Sequence, residues 1–175
     1  LSEIKMASES DAVELMIVDM SLQSSIKQLA MDYMRKYDCL DVLIHNAATF
    51  DISKKKPIIT EEGIESIWAT NHIGPVLLTQ LLLGPLKSSQ QGRVITVSSK
   101  GLLAYPFLKV NLEDPEFRNR KFSVVKAYYQ AKLAQVMYTY WLSDKLKNTG
   151  ITVNSIRVPS VKVDMSRYPN ISAAA

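Results

Sequence analysis

A single cysteine, Cys39, stands in the 175 residues. It excludes an internal disulfide framework and suits a reducing compartment, so a cytoplasmic setting is expected. Nothing beside it marks it as a nucleophile, and next to the apolar Leu40 it reads as semi-buried packing. Glycine is scarce as well. The six glycines are Gly63, Gly74, Gly84, Gly92, Gly101 and Gly150, and no two are closer than eight residues. A dinucleotide-phosphate turn needs closely spaced glycines, so that backbone can approach the pyrophosphate at a helix N-terminus; no such turn lies in this chain. Long apolar runs are missing too. The best candidate, from Val76 to Leu86, is broken by Thr79, Gln80, Gly84 and Pro85, well short of a membrane span. No targeting signal is visible at Leu1. The net charge is +4, but Lys and Arg are dispersed, and the one run, Lys54-Lys55-Lys56, falls in a predicted loop. A nucleic-acid partner is therefore not expected. No metal site is assigned, and methionines at helical spacing read as core filler.

The 47% hydrophobic content and the length suit one globular domain with a sizeable core, assigned to residues 1–175. Leu1 to Ser10 reads as the tail of a helix, and Val13–Val18 as a strand ending in the acidic Asp19. Ser21 or Ser24 is placed to cap the next helix, whose apolar residues Ile26, Leu29, Ala30, Tyr33 and Met34 have near-helical spacing. A strand follows over Asp41–His45, then two helices divided near Asn71, the second ending around Gly84-Pro85. Arg93–Ser98 is the next strand, Lys121–Lys147 is mostly one helix, and Asn148-Thr149-Gly150 stops it before the strand Ile151–Ile156. Strands alternating with helices predict an α/β fold with a parallel sheet.

The chemistry centres on Tyr128 and Lys132. One helical turn places the phenol and the ammonium on the same face, with Cβ atoms about 6 Å apart. A free tyrosine titrates near ~10, and a neighbouring cation favours the phenolate, so the pair is a candidate acid–base device. Three further segments join it. Leu40–Ala48 is a buried strand running into a small-residue turn at Asn46-Ala47-Ala48. Asn71 interrupts helical sequence twenty-five residues later, and Arg93–Ser99 is a strand ending in two hydroxyls.

Asn46, Asn71, Ser99, Tyr128 and Lys132, in that order, resemble the short-chain dehydrogenase/reductase family, over a stretch from about Val13 to Val163. The resemblance implies a doubly wound, Rossmann-like parallel sheet and an Asn71–Ser99–Tyr128–Lys132 catalytic tetrad. It also implies a nicotinamide cofactor, NAD or NADP, meeting Asn46, Ala47, Ala48, Tyr128 and Lys132, with Asp19 accepting from the adenine amino group. Past the last strand, Pro159, Ser160 and Val161 stand where the family approaches the nicotinamide. Tyr128 would pass the proton, Lys132 would lower the tyrosine pKa and hold the ribose, Ser99 would polarise the substrate oxygen, and Asn71 would hold a water leading toward Lys132.

Ser99 and Tyr128 are 29 residues apart, and the gap contains Val110-Asn111-Leu112-Glu113-Asp114-Pro115-Glu116-Phe117. This insertion resembles the retinol-dehydrogenase-like branch and implies a small-molecule alcohol or carbonyl, lipophilic in character, as substrate. Compared with the family, the chain is expected to begin in the helix before the third strand and to be short at its C-terminus, with the glycine-rich segment preceding Leu1; membrane anchoring stays open. The long helices ending near Leu83 and Leu142 are where relatives pair as homodimers. Three positions depart from the family: Ala48 for glycine, His45 for a common asparagine, and Ser160 where Pro-Gly is expected. His45 reads as an ordinary strand-end side chain. The alternative is a truncated, non-catalytic homologue acting through association.

Overall fold

The computed structural model describes residues 1–159. Its centre is a parallel sheet of β1 (Val42–His45), β2 (Arg93–Ser99) and β3 (Thr152–Val158), in that spatial order. The register pairs Val42 with Arg93 and Arg93 with Thr152, and runs to Ser99 opposite Val158. β-branched residues dominate the strands. On β2 they alternate, with Val94, Thr96 and Ser98 buried on one face and Ile95, Val97 and Ser99 half-buried on the other. The α/β expectation holds.

Helices α1 (Ser2–Ser8), α2 (Gln23–Lys36), α3 (Ser66–Trp68), α4 (Gly74–Leu81), α5 (Leu83–Ser88) and α6 (Val124–Lys145) complete the fold. α2 packs against α4, and α6 against β2 and β3. The first contact is close: a Cβ on Gly74 would overlap the Met20 carbonyl oxygen, so glycine lets the two segments meet. One apolar cluster (Ile26, Ala30, Leu78, Leu82) fills the α2–α4 seam, and a second (Leu86, Val94, Leu142, Leu146, Ile151, Val153) lies between the sheet and the ends of α5 and α6. A third surrounds Trp68, Phe117 and the alanine stripe Ala127, Ala131 and Ala134 of α6.

Several local expectations change. Cys39, expected to be semi-buried, is exposed, and β1, expected to be buried, leaves Val42 and Ile44 exposed. Val13–Val18 forms no strand, with Leu15 and Ile17 exposed, because no described strand lies beside it to take its backbone groups. It is tied to α2 instead, where Glu14 binds Lys36 and accepts from the Tyr37 hydroxyl at 2.5 Å. Neither Ser21 nor Ser24 caps α2. The Glu62 carboxylate does so from a distant loop, accepting from Gln23 N at 2.7 Å and Ser24 N at 2.9 Å, which holds its pKa down. The helix break after α4 falls at Leu82 rather than at Gly84-Pro85. Pro85 sits in the first turn of α5, where its missing N–H costs nothing. Finally, α6 begins at Val124, with the Ser123 hydroxyl accepting from Lys126 N. Beyond its end, Asn148 (φ 67°) and Gly150 (φ 78°) turn the chain into β3.

Candidate active site

The C-terminal ends of β1 and β2 deliver the first two groups, as an open α/β sheet does for its ligands. β1 runs into Asn46, Ala47 and Ala48, all exposed. Ala48 has no positive φ, so its methyl fits this backbone without strain. The next residue, Thr49, is clamped. Asn71 is fully buried, and its amide accepts from Thr49 N at 2.8 Å and donates Nδ2 to Thr49 O at 2.9 Å. The helix carrying Asn71 is interrupted as expected, by a π-helical turn over Ala69–Ile73. The side chain, however, binds the loop with both ends, leaving one hydrogen and one lone pair for a water.

At the end of β2 a 3-10 turn over Lys100–Ala104 starts at once, because the Ser99 hydroxyl accepts from Gly101 N at 3.1 Å. That bond uses a lone pair and leaves the Ser99 proton free to donate. Tyr128 is its neighbour, and the serine favours the phenolate form of that residue. Tyr128 is half-buried on α6, its ring 4.5 Å from Phe50 and 5.2 Å from Tyr129.

Lys132 is 2% exposed; its Nζ lies 5.8 Å from the Tyr128 ring centroid and donates to Val97 O at 2.9 Å. Burial pushes the ammonium down to about 8. The expected lowering of Tyr128 by Lys132 does not hold in this structure. Burial raises the phenol, the neighbouring Tyr129 adds to that, and only Ser99 opposes it. The lysine is itself desolvated and committed to a backbone carbonyl, so desolvation outweighs its attraction.

His45 is buried, with Nε2 2.7 Å from the Thr79 hydroxyl, which in turn donates to Pro75 O at 2.8 Å. Thr79 has one proton and spends it on Pro75, so His45 is the Nε2–H donor in a neutral ring. Burial, then the Lys132 charge, lowers its pKa to about 4. The strand-end reading of His45 stands. Asp19 bonds locally, accepting from Ser21 N at 2.8 Å and from the Ser21 hydroxyl at 2.7 Å in the turn before α2. Pro159 is exposed just past β3, and Ser160 and Val161 lie outside the described residues.

Sequence reasoning set Tyr129 aside as a rival to Tyr128, since it has no lysine four residues later, and passed over Gln130; the contacts of both emerge only in the structure. Tyr129 packs over Gly101 so closely that a Cβ there would overlap its hydroxyl and stand 2.6 Å from Cε1 and Cζ. Gln130 is 1% exposed and bonds the insertion. A polar residue sharing a helical face with Ala127, Ala131 and Ala134 was the available signal for it. A cleft of about 670 Å³ opens beside Ser99 and is lined also by Leu102, Thr139, Tyr140 and Arg157; Tyr128, Lys132 and Asn71 do not line it. Among the described residues no cluster of His, Cys, Asp and Glu is placed to hold a metal, and no helix is long and apolar enough to cross a membrane.

The family model described as short chain dehydrogenase matches residues 1–109. Retinol dehydrogenase 13 of Homo sapiens is 33% identical over 154 residues, which are 88% of this chain and 45% of that protein. Polyprenol dehydrogenase of Homo sapiens is 33% identical over 174 residues, 96% of this chain and 51% of that protein. An uncharacterized Mycobacterium Paratuberculosis protein of known crystal structure superposes with a TM-score of 0.73 at 32% identity, covering 89% of this chain and 54% of that one. The chain thus spans about half the length of the curated relatives it matches. With the family model covering more than half of the chain and relatives about a third identical over most of it, the chain belongs to the short-chain dehydrogenase family.

Proposed function

We propose that this chain carries the catalytic residues of an NAD(P)-dependent oxidoreductase that interconverts an alcohol and a carbonyl on a lipophilic small molecule. One observation carries the reading: Ser99, Tyr128 and Lys132 converge from β2 and α6 beside a loop that Asn71 clamps. The names of the retinol and polyprenol dehydrogenases among its relatives support a lipophilic alcohol.

The nicotinamide half of a dinucleotide fits the residues present. The backbone of Asn46–Ala48 is exposed at the end of β1, without a conformation that demands glycine, and Tyr128 and Lys132 stand on the helix beside Ser99. The phosphates have no glycine turn to meet in this chain, so none of its residues is assigned to them. When bound, the nicotinamide supplies or accepts the hydride. In the reducing direction, Tyr128 gives its proton to the substrate oxygen and Ser99 donates a hydrogen bond to that oxygen, the latter worth about 2–4 kcal/mol. The buried Lys132 ammonium then stabilises the phenolate left on Tyr128. A phenol held high by burial suits proton retention until that oxygen becomes basic; the same atoms run in reverse for oxidation.

Tyr128→Phe in the purified full-length protein tests the reading. Turnover of a lipophilic alcohol should fall roughly 10²–10⁴-fold, while NADPH affinity stays within about threefold of the unmodified protein, an allowance well below the tenfold that 1.4 kcal/mol represents. Retained turnover would sink the role of Tyr128. Absence of turnover in the unmodified protein would favour the non-catalytic homologue.

A further inference from the structure

The insertion between Ser99 and Tyr128 is a folded piece of structure. Asn111 Oδ1 accepts from Glu113 N at 3.1 Å and Asp114 N at 3.0 Å, and the Asp114 carboxylate accepts from Arg118 N at 2.7 Å and Asn119 N at 3.1 Å. Phe117 adopts φ 58° to enter the core at 3% exposure, with the Arg120 guanidinium 3.7 Å over its ring. A bulky residue at positive φ persists only where its surroundings over-determine it.

Both ends of this segment lead back to the site. At one end is Gln130, two residues from Tyr128 and two from Lys132. Its carbonyl oxygen accepts from Asn111 N at 3.2 Å and Arg120 Nη2 at 2.8 Å, and its Nε2 donates to Pro115 O at 2.8 Å. At the other end, Glu116 accepts from Glu65 N at 2.8 Å. Glu65 is buried and caps α3, accepting from Ile67 N at 3.0 Å and Trp68 N at 2.9 Å, and α3 runs directly into the π-helical turn that carries Asn71. Asn71 holds Thr49, and the adjacent Phe50 meets the Tyr128 ring. The contacts therefore close a ring: α6, insertion, α3, Asn71, the β1 loop, and α6 again.

We infer that the insertion is a brace that fixes the Asn71 turn against the Tyr128 helix, and that Gln130 is the positioning residue at which it is fastened. Three bonds converge on one buried carboxamide, which must offer both an acceptor and a donor, so no other side chain of that size replaces it fully. The inference rests on the reading of Tyr128 and Asn71 as site residues. Gln130 touches no reacting atom; it acts through the segment it holds. A loosened brace leaves the substrate-binding surfaces in place but lets Tyr128 and Asn71 drift relative to each other, and reaction rates are sensitive to such displacements.

The test uses the full-length protein, Gln130→Met, Gln130→Glu and, at the far end, Glu116→Ala. Limited trypsin treatment reads the brace directly, since Arg118, Arg120 and Lys121 lie within or beside it. Methionine keeps the volume of glutamine and makes none of the three bonds. Gln130→Met should accelerate cleavage at these sites about tenfold and lower kcat about tenfold with KM changed less than twofold, a rate effect of some 1.4 kcal/mol. Gln130→Glu keeps the oxygen for Asn111 and Arg120 but loses the N–H to Pro115, and should fall between the wild type and Gln130→Met in both readouts. Glu116→Ala, on a partly exposed residue, should reproduce the kcat loss in weaker form. Faster cleavage with unchanged kcat would make Gln130 a structural anchor only and overturn the inference, as would unchanged cleavage in Gln130→Met. Should the wild-type protein show no turnover, the catalytic reading fails on that result; positioning for catalysis falls with it, and the cleavage rates separately decide whether the brace exists.

Discussion

Acid should destabilise this protein well before its carboxylates titrate, because its two histidines, His45 buried and His72 half-buried, are both held in neutral form. His45 hydrogen-bonds Thr79, and the His72 ring lies tilted against Trp68 with centroids 4.5 Å apart, its Nδ1 buried and without a hydrogen-bond partner among the described residues. Burial lowers each from 6.5 to about 4, and the Lys132 charge adds to the effect at His45. Their folded pKa values lie below the unfolded value, so the unfolded chain takes protons that the folded chain refuses. Stability is complete above about pH 6.5 and falls as the pH drops toward 4. At pH 5 the loss is about 2 kcal/mol per histidine, or about 4 kcal/mol for the pair, against a typical total of roughly 5–15 kcal/mol. Glu65, raised by burial, works in the opposite direction and trims this somewhat. Urea unfolding followed at pH 7 and pH 5 should show a midpoint lower by about 2 M at the acid value, for a slope of roughly 2 kcal/mol per molar. His72→Phe keeps a ring against Trp68, removes one titration and should halve the drop. A midpoint that does not move between the two pH values, or a drop of unchanged size in His72→Phe, would refute the reasoning.

Other consequences are as direct. Asn71→Leu removes both bonds to Thr49 and should cost about 2–4 kcal/mol, with faster hydrogen exchange at the Thr49 amide; an unchanged exchange rate would show that the clamp does not hold the loop. Gly101→Ala drives a methyl into the Tyr129 ring and should cost about 1–3 kcal/mol, most of it recovered in the Gly101→Ala/Tyr129→Ala double variant; additive losses would count against that contact. Lys132 is depressed to about 8 by burial, so between pH 8 and about 10.5 the unfolded chain holds the extra proton and stability should rise with pH. Lys132→Met should abolish that rise, measured by urea unfolding at pH 7.5 and 9.5, and abolish turnover as well.

The candidate site residues were legible before the structure because their pattern depends on local spacing. Tyr128 and Lys132 share a helical face by arithmetic alone, and Asn46 and Ser99 follow or end apolar runs that form strands, although the first of these, expected to be buried, leaves Val42 and Ile44 exposed. The interruption at Asn71 was also legible, since asparagine competes poorly for a helix interior. Less legible was anything set by a partner remote in sequence. The α2 cap comes from Glu62, thirty-nine residues from Gln23, so inspection of Ser21 and Ser24 had no means of finding it. Val13–Val18 has the composition of a strand, yet a strand exists only if a neighbour accepts its hydrogen bonds, and none of the described strands does.

Charge states belong to the same class. That Lys132 faces Tyr128 follows from the sequence, but the sign of the phenol's shift depends on how much water each group loses and where the ammonium points. The fold decided both, by burying Lys132, half-burying Tyr128 and turning the lysine to donate a hydrogen bond to Val97 O. Gln130 shows the division most plainly. Its position beside the tyrosine is written in the chain, while its partners at Asn111, Pro115 and Arg120 are brought to it only by the folding of the insertion. By itself the sequence determined which residues are candidates for proton transfer and the order of most strands and helices that carry them, because periodicity and spacing act over a few residues. Tertiary structure alone decided which of those groups are dry, which are clamped and what clamps them, because desolvation and long-range hydrogen bonds depend on atoms far apart in the chain.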